Sequence, residues 1–317
     1  MEVVFTAPLD DVYKNELRKQ FPDITYQFTS PETIEHHLQS ATVLATYGND
    51  LTKEMIERAE HVKWIMVLSA GVDELPIEAI KKRNIVVTNA QGIHKVPMSE
   101  YVISMLLQVS REEKRLIENE RKHQWERSLK FQTKEISGKT MLVFGTGAIG
   151  QEVARIAKAF RMTTYGISRS GKQVEHFDTV YSIEQKGKVL SEADFVISVL
   201  PSTEETRQLF TYDVFCQMKR EAIFLNMGRG DAVVEEDLLQ AMKEERICHA
   251  ILDVFRTEPL HSESPFWQEE NITITPHTSG VSEHYITRAL DIFTENLAHW
   301  IEHEDVIVNQ VDLTKGY

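Results

Sequence analysis

The sequence contains little cysteine and no excess of basic residues. Of its 317 residues only two are cysteines, Cys216 and Cys248. Two cysteines so far apart fit neither a zinc site nor the disulfide framework of a small secreted domain, so we predict that both are reduced. The formal net charge of −14 argues against a general nucleic-acid surface, because phosphate binding depends on clustered Lys and Arg. We also predict no metal site, since His36, His37 and His123 have no Cys or carboxylate partner at ligand spacing.

Long apolar runs are missing as well. The first residues, "MEVVFTAPLDD", carry an acid at position 2 and become polar within ten residues. Such a start is typical of neither a signal peptide nor a membrane-spanning helix. We therefore expect a cytoplasmic protein that does not bind a membrane.

Short β-rich segments alternate with helical patterns, which predicts an α/β fold with parallel sheets and crossover helices. The first series of strand candidates is "EVVFTA", "ITYQF", "ATVLATY", "KWIMVLS" and "NIVVTN". The second contains six, namely "TMLVFG", "TTYGIS", "ADFVISVL", "AIFLNMG", "HAILDVF" and "NITITPH". Six strands are typical of a doubly wound sheet. Because the chain contains two such series and is long enough for two domains, we expect two domains.

Two long amphipathic helices are predicted, one between the two series and one near the end of the chain. The first begins at Pro97, and its apolar face comprises Tyr101, Val102, Met105, Leu106 and Val109. We expect it to bridge the domains and to extend into a subunit contact, which predicts a homodimer. The second contains Ile286, Leu290, Phe293, Leu297 and Ile301 and returns to the first domain. Hinges are expected near residues 95–100 and 280–290.

A glycine-rich motif, "GTGAIG", follows the apolar strand "MLVF" and opens a helix. Gly145 allows a tight turn, Gly147 lets the backbone approach a pyrophosphate, and Gly150 lets the helix pack closely on the strand. The unsatisfied amides at the helix N-terminus carry partial positive charge and can bind phosphate. The motif in this context predicts a dinucleotide site.

An acidic residue is absent where such chains usually carry one. The second strand of the predicted nucleotide domain ends in "YGISRSGK", residues 165–172. An acid at Ser168 would accept hydrogen bonds from the ribose hydroxyls and would repel the 2′-phosphate of NADP. Arg169 and Ser170 can instead contact that phosphate. We therefore predict that NADP(H) is preferred over NAD(H).

Three polar side chains follow predicted strands further along the chain: Arg229 in "NMGRGDAV", Glu258 in "DVFRTEPL" and His277 in "TPHTSG". Because the carboxyl ends of parallel strands line the ligand crevice, the three side chains could converge. Each one alone is also compatible with an ordinary surface loop.

Together these stretches resemble the D-isomer-specific 2-hydroxyacid dehydrogenase family. The resemblance rests on "LSAGVDELP", "VFGTGAIG", "LNMGRGDAVVEEDLL", "ILDVFRTEPL" and "TPHTSG", and the ending "VNQVDLTKGY" is similar to that of some glyoxylate/hydroxypyruvate reductases. It implies two Rossmann-like domains, with the cofactor domain (residues 97–284) inserted into a smaller flavodoxin-like substrate domain (residues 1–96 and 285–317).

The resemblance also implies roles for individual residues. His277 donates a proton to the carbonyl oxygen of a 2-keto acid, Glu258 favours the charged imidazole, and Arg229 holds the substrate carboxylate. The backbone amides of Ala70, Gly71 and Val72 complete the carboxylate site. Apart from the resemblance, we expect the loop "ATYGND" to form part of the pocket wall, with Tyr47 facing the substrate. The implied cofactor-binding residues are Gly145, Thr146, Gly147, Ala148, Ile149, Gly150, Ser168, Arg169, Ser170, Leu200, Pro201, Thr206, Met227, Asp253 and His277.

The leading interpretation is an NAD(P)H-dependent reductase of a small 2-keto acid such as glyoxylate or hydroxypyruvate, yielding the D-2-hydroxy acid. A phosphoglycerate dehydrogenase is the alternative within the same chemistry, although a chain ending at Tyr317 leaves no room for the regulatory domain of some such enzymes. Formate dehydrogenases pair their histidine with an amide, whereas this chain has Glu258. A dinucleotide-sensing co-repressor with similar catalytic residues is the alternative from another class.

Overall fold

The computed structural model describes residues 1–72, 74–128 and 133–313. The chain divides into two compact units, the first made of Met1–Ile93 and Ser282–Tyr317 and the second of His94–Val281. Asp73 of "LSAGVDELP" and the last four residues of "VNQVDLTKGY" lie outside the described residues.

The first unit contains a five-stranded parallel sheet in the order β2-β1-β3-β4-β5. The strands are β1 (Glu2–Phe5), β2 (Thr25–Phe28), β3 (Val43–Thr46), β4 (Trp64–Val67) and β5 (Val86–Asn89). The helices are α1 (Asp11–Gln20), α2 (Lys53–Arg58), α3 (Ile77–Lys82) and α10 (Tyr285–His303). All residues of β3 and β4 are buried, as expected of parallel strands with both faces covered.

Helix α10 confirms the amphipathic pattern predicted near the end of the chain. Its Phe293 packs edge-on against Phe5 and stacks on Trp64, whose ring also stacks on Trp300. Ile301 departs from the predicted face and is exposed. The helix thus completes the core of the first unit, although it is separated in sequence from the strands that it covers.

The second unit contains a seven-stranded parallel sheet in the order β12-β11-β10-β9-β6-β7-β8. Its strands are β6 (Thr140–Phe144), β7 (Thr163–Ser168), β8 (Thr179–Ser182), β9 (Phe195–Ser198), β10 (Ile223–Asn226), β11 (His249–Leu252) and β12 (Ile272–Ile274). The predicted count of six was wrong because β8 was missed. This strand has four residues, of which Val180 alone is buried, and it occupies the edge of the sheet beside β7.

The helices of the second unit are α4 (Lys95–Ser110), α5 (Glu113–Arg121), α6 (Ala148–Ala159), α7 (Gly187–Leu190), α8 (Tyr212–Cys216) and α9 (Glu235–Lys243). The prediction of one long helix from Pro97 was wrong. The helix begins at Lys95, and Glu112 separates α4 from α5 with φ +58°.

Helices α4 and α5 both belong to the second unit. The apolar face of α4 is used inside that unit. Its buried residues Met98, Val102 and Leu106 belong to the same core cluster as Val153 and Ala157 of α6. The charged residues that follow Ser110 cannot continue this buried face, and helix α5 has no buried residue.

Within the described ranges, no helix combines the length and the apolar character that are needed to cross a membrane. The same part of the chain contains no group of three His, Cys, Asp or Glu side chains arranged to bind a metal ion.

Candidate active site

The turn between β6 and α6 has the geometry that the glycine motif requires. Gly145 has φ +105°, a conformation that other residues rarely adopt. A Cβ atom on Gly150 would lie 1.9 Å from the carbonyl oxygen of Gly145, so only glycine allows α6 to pack this closely. A Cβ on Gly147 would meet no atom within 4 Å, and Gly147 and Ala148 are exposed. The backbone is therefore accessible to a ligand where the helix begins.

Helix α6 starts at Ala148, with Gly147 as a cap residue that has no side chain to satisfy the first amides. Those amides have no partner within the helix, and they lie at the positive end of its dipole. Thr146 and Ile149 flank the turn and are partly buried. These features fit the pyrophosphate of a dinucleotide, which residues 145–150 would hold through backbone amides.

Ser168 is the last residue of β7, and its Oγ accepts a hydrogen bond from the Gly171 amide at 3.1 Å. Ser170 similarly accepts from the Lys172 amide at 3.3 Å. The side chain of Arg169 is 70% exposed, and its Nη2 lies 3.8 Å from Oε2 of Glu205. Glu205 belongs to the loop after β9, on the other side of β6. The Arg169 guanidinium is therefore available to an anion and is held only weakly.

The loop after β9 contains the predicted residues Leu200, Pro201 and Thr206. Leu200 is buried, whereas Pro201 is exposed. The Thr206 hydroxyl donates to the Pro201 carbonyl at 2.6 Å and accepts from the Thr203 amide at 2.8 Å. Thr206 thus fixes its own loop rather than capping the next helix, which begins at Tyr212.

The loop after β10 carries Met227 and Arg229. The Met227 side chain is buried in the core of the second unit, so only its backbone is available to a ligand. Arg229 is exposed, its Nη1 donates to the Gly228 carbonyl at 2.8 Å, and its own carbonyl accepts from Asn226 Nδ2 at 2.9 Å. The amide side chain of Asn226 therefore fixes the backbone from which the guanidinium projects.

Glu258 and His277 form a hydrogen-bonded pair although 19 residues separate them. Nδ1 of His277 lies 2.8 Å from Oε2 of Glu258, and Oε1 of Glu258 accepts from the Phe255 amide at 2.9 Å. The side chains are 52% and 34% exposed, respectively. A histidine that donates from Nδ1 to a carboxylate keeps Nε2 as the atom that can exchange a proton with a ligand.

The loops after β10 and β11 pack backbone against backbone. A Cβ atom on Gly230 would lie 1.9 Å from the carbonyl carbon of Phe255. This close approach fixes the Arg229 loop against the loop that leads to Glu258. The catalytic candidates Arg229, Glu258 and His277 thus lie on loops after three neighbouring strands of one sheet.

Asp253 is fully buried directly after β11. Its Oδ1 accepts hydrogen bonds from the Thr275 hydroxyl at 2.5 Å and the Thr278 amide at 2.8 Å, and its Oδ2 accepts from the Ser279 amide at 3.0 Å. The sequence predicted Asp253 as a cofactor-binding residue but gave no indication of these bonds. The carboxylate holds the turn that carries His277.

Sequence reasoning also missed Tyr101 and Thr275. The Tyr101 hydroxyl lies 2.7 Å from the Thr275 hydroxyl. Tyr101 had been assigned to the apolar face of a helix, and its spacing gave no sign of a polar partner. The position of Thr275 two residues before His277 was the one available signal.

The remaining predicted residues belong to the first unit. Tyr47 follows β3 and is half-buried, and burial raises the pKa of its hydroxyl. Ala70, Gly71 and Val72 follow β4; the Ala70 carbonyl accepts from Asn89 Nδ2 at 2.7 Å, and Gly71 is exposed. The Val72 side chain is buried in the core, so only its backbone could contact a substrate.

A cavity of about 320 Å³ lies elsewhere in the second unit, at the amino-terminal edge of the sheet. His249 lines it, and Nε2 of this imidazole lies 2.9 Å from the Thr273 hydroxyl. Burial lowers the pKa of His249 to about 4, and the positive charge of Lys114 adds to that effect. His249 is therefore neutral near pH 7, and this cavity lies at the opposite edge of the sheet from the Glu258–His277 pair.

Comparison with known proteins identifies the family. The model for the "D-isomer specific 2-hydroxyacid dehydrogenase, NAD binding domain" matches residues 103–279. A solved structure of a D-isomer specific 2-hydroxyacid dehydrogenase family protein from Aeromonas salmonicida is 32% identical, with a TM-score of 0.86 and coverage of 98% of this chain and 99% of that chain. The chain therefore belongs to the D-isomer specific 2-hydroxyacid dehydrogenase family, whose members are oxidoreductases.

Two further relatives bear on substrate and cofactor. The D-3-phosphoglycerate dehydrogenase of Methanocaldococcus jannaschii is 29% identical over 299 residues, and the match spans 94% of this chain but 57% of that protein. The NADPH-dependent glyoxylate/hydroxypyruvate reductase of Sinorhizobium meliloti, solved with NADP and sulfate, is 25% identical, with a TM-score of 0.78 and coverage of 100% and 99% of the two chains.

The glycine turn generates a prediction about dinucleotide binding. Gly145→Ala places a Cβ 2.9 Å from Cγ2 of Val199 in a backbone with φ +105°, so the turn must deform. We expect the Kd for NADH and NADPH, measured by fluorescence titration, to rise roughly tenfold or more. Gly138→Ala is the matched control, because Gly138 also has a positive φ (+71°) but open space around it. Equal cofactor affinities in the two variants would contradict this role of the turn.

Proposed function

We propose that this member of the family reduces a small 2-keto acid, of the glyoxylate or hydroxypyruvate type, to the D-2-hydroxy acid with NAD(P)H. The observation that carries the proposal is the 2.8 Å hydrogen bond between His277 Nδ1 and Glu258 Oε2. This pair lies on loops after the strands of the same sheet that carries the glycine turn. The Sinorhizobium meliloti relative supports the substrate class, and the D configuration comes from the family.

The chemistry requires a hydride and a proton. A reduced nicotinamide cofactor, held by the glycine turn of residues 145–150, would supply the hydride. His277 donates the proton to the carbonyl oxygen from Nε2, since Nδ1 is engaged by Glu258. The Glu258 carboxylate accepts from Nδ1 and so fixes the tautomer and the orientation of the imidazole.

Substrate binding requires groups that recognise a carboxylate. We assign this role to Arg229, whose planar guanidinium can form two parallel hydrogen bonds with a carboxylate. On the family resemblance we also assign the substrate carboxylate to the backbone amides of Ala70, Gly71 and Val72. We propose separately that Tyr47, in the loop after β3, faces the substrate.

The reaction predicts a large effect of removing the acid. His277→Ala should lower kcat for 2-keto acid reduction by roughly 10²- to 10⁴-fold while leaving the Kd of the cofactor nearly unchanged. Steady-state assays with glyoxylate and hydroxypyruvate measure the effect. His303→Ala is the control, because His303 is also exposed (55%) and lies 3.5 Å from a carboxylate, that of Glu302.

Wild-type kcat in His277→Ala would overturn the assignment of the acid. Turnover of 3-phosphohydroxypyruvate in preference to both smaller keto acids would favour the phosphoglycerate dehydrogenase alternative. Tight dinucleotide binding without turnover of any keto acid would favour the dinucleotide-sensing co-repressor alternative.

For the cofactor we propose a preference for NADP(H). Ser168 presents no negative charge at the end of β7, and the Arg169 side chain is largely exposed, with Glu205 at 3.8 Å as a weak partner. A 2′-phosphate, with its charge near −2, can displace that carboxylate and form charge-assisted bonds worth about 1.5–3 kcal/mol each. The Sinorhizobium meliloti relative is an NADPH-dependent enzyme solved with NADP.

We expect kcat/KM to be higher with NADPH than with NADH and the Ser168→Asp/Arg169→Ala variant to favour NADH. Each lost charge-assisted bond should change the preference by roughly tenfold or more. Arg220→Ala is the matched control, because Arg220 is 71% exposed and lies 3.2 Å from Glu245. Equal or better efficiency of the wild-type enzyme with NADH would refute the preference.

We also propose a homodimer. The apolar face of α4 is buried inside its own unit, whereas the segment that follows carries exposed apolar side chains. Leu116 and Ile117 are 44% and 45% exposed, and Trp125 is 93% exposed. Two-fold dimers are the commonest symmetric assembly, and we propose that these three side chains lie in the two-fold contact. Light scattering at micromolar concentration should give twice the mass of one chain, and a monomeric mass would contradict the proposal.

A further inference from the structure

We propose that Tyr101 is a positioning residue, which acts through Thr275 and Asp253 to hold the turn that carries His277. This inference rests on the proposed function, because it takes His277 as the proton donor. Tyr101 lies on α4, 176 positions before His277 in the sequence, and all four residues belong to the second unit.

The direction of each hydrogen bond follows from the chemistry of the acceptor. Asp253 accepts, so the single Thr275 hydroxyl proton points to Oδ1 of Asp253 at 2.5 Å. Tyr101 must then donate to Oγ1 of Thr275 at 2.7 Å. Burial raises the pKa of the Tyr101 hydroxyl, and the Asp253 charge raises it further, so the hydroxyl keeps its proton. Each bond in such a chain polarises the next and strengthens it.

Asp253 links the Tyr101–Thr275 hydrogen bond to the backbone of the turn that carries His277. Its carboxylate accepts from the amides of Thr278 and Ser279, at 2.8 and 3.0 Å. Its main-chain carbonyl also accepts from the His277 amide at 2.9 Å. Any rotation of the carboxylate would therefore shift Thr275, which precedes His277, and Thr278 and Ser279, which follow it.

His277 depends on this support because its backbone is strained. Its φ is +54°, in the left-handed region that a residue with a side chain rarely adopts. Such a conformation persists only where the surroundings impose it. Tyr101 connects the turn to α4, whose buried face shares a core cluster with α6, and so links a strained loop to a rigid element.

A positioning role predicts a specific kinetic signature. Tyr101→Phe keeps the ring and removes the donor, so the packing of α4 is retained. We expect kcat for 2-keto acid reduction to fall roughly tenfold, the scale of one buried hydrogen bond, while KM for substrate and cofactor stays within twofold. Tyr13→Phe is the matched control, because its hydroxyl also lies 2.9 Å from a threonine hydroxyl, that of Thr287, in the first unit.

A double-mutant cycle tests the path through Thr275. Thr275→Val should lower kcat at least as much as Tyr101→Phe, and the double variant should be no worse than Thr275→Val alone. Thr275→Ser keeps the hydroxyl and should restore kcat to near the wild-type value. Additive losses, or a loss in Thr275→Ser equal to that in Thr275→Val, would overturn the inference.

Amide hydrogen exchange gives a readout that does not need turnover. Loss of the Tyr101 hydroxyl should speed exchange of the Thr278 and Ser279 amides at least several-fold, while the amides of β6 stay unchanged. A wild-type enzyme that reduces no 2-keto acid would refute the proposed function, whereas unchanged exchange in Tyr101→Phe would refute the positioning role. Wild-type kcat in Tyr101→Phe would likewise refute it.

Discussion

A carboxylate with no exposed surface must have its oxygens hydrogen-bonded, because leaving a buried charge unpaired costs several kcal/mol. Asp253 meets this requirement by accepting hydrogen bonds from the Thr275 hydroxyl and from the amides of Thr278 and Ser279. The segment after β12 therefore folds around the end of β11. Within this segment the backbone of His277 adopts a positive φ, and its imidazole forms a hydrogen bond with Glu258.

The parallel sheet supplies the second constraint. Because its strands run in one direction, the loops after β6, β7, β9, β10, β11 and β12 leave the same edge of the sheet. Glycines allow the closest approaches among these loops, Gly150 over the Gly145 carbonyl and Gly230 over Phe255. The loops to which we assign dinucleotide binding and proton transfer thus leave one edge of one sheet.

The sequence predicted the elements whose signals are local. Apolar β-branched runs located eleven strands, and the helical spacing of Leu290, Phe293 and Leu297 located α10. It failed at β8, which has one buried residue and no apolar run. It also failed at Glu112, where a residue with positive φ ends α4 although the helical pattern continues in charged residues. Glu258 and His277 were identified through their motifs, whereas Tyr101 was missed because its hydroxyl bond to Thr275 crosses 174 residues.

The central claim is that the Glu258 carboxylate accepts from Nδ1 of His277 and so holds the imidazole with Nε2 as its proton-donating atom, and kcat of Glu258 variants tests it most directly. The measurement compares wild type, Glu258→Ala and Glu258→Gln in glyoxylate or hydroxypyruvate reduction with NADPH. Ala removes the acceptor of the Nδ1 hydrogen bond, whereas the amide oxygen of Gln can still accept it. We predict that kcat falls roughly tenfold or more in Glu258→Ala and falls less in Glu258→Gln, while the Kd of NADPH stays nearly unchanged. Wild-type kcat in Glu258→Ala would contradict the claim.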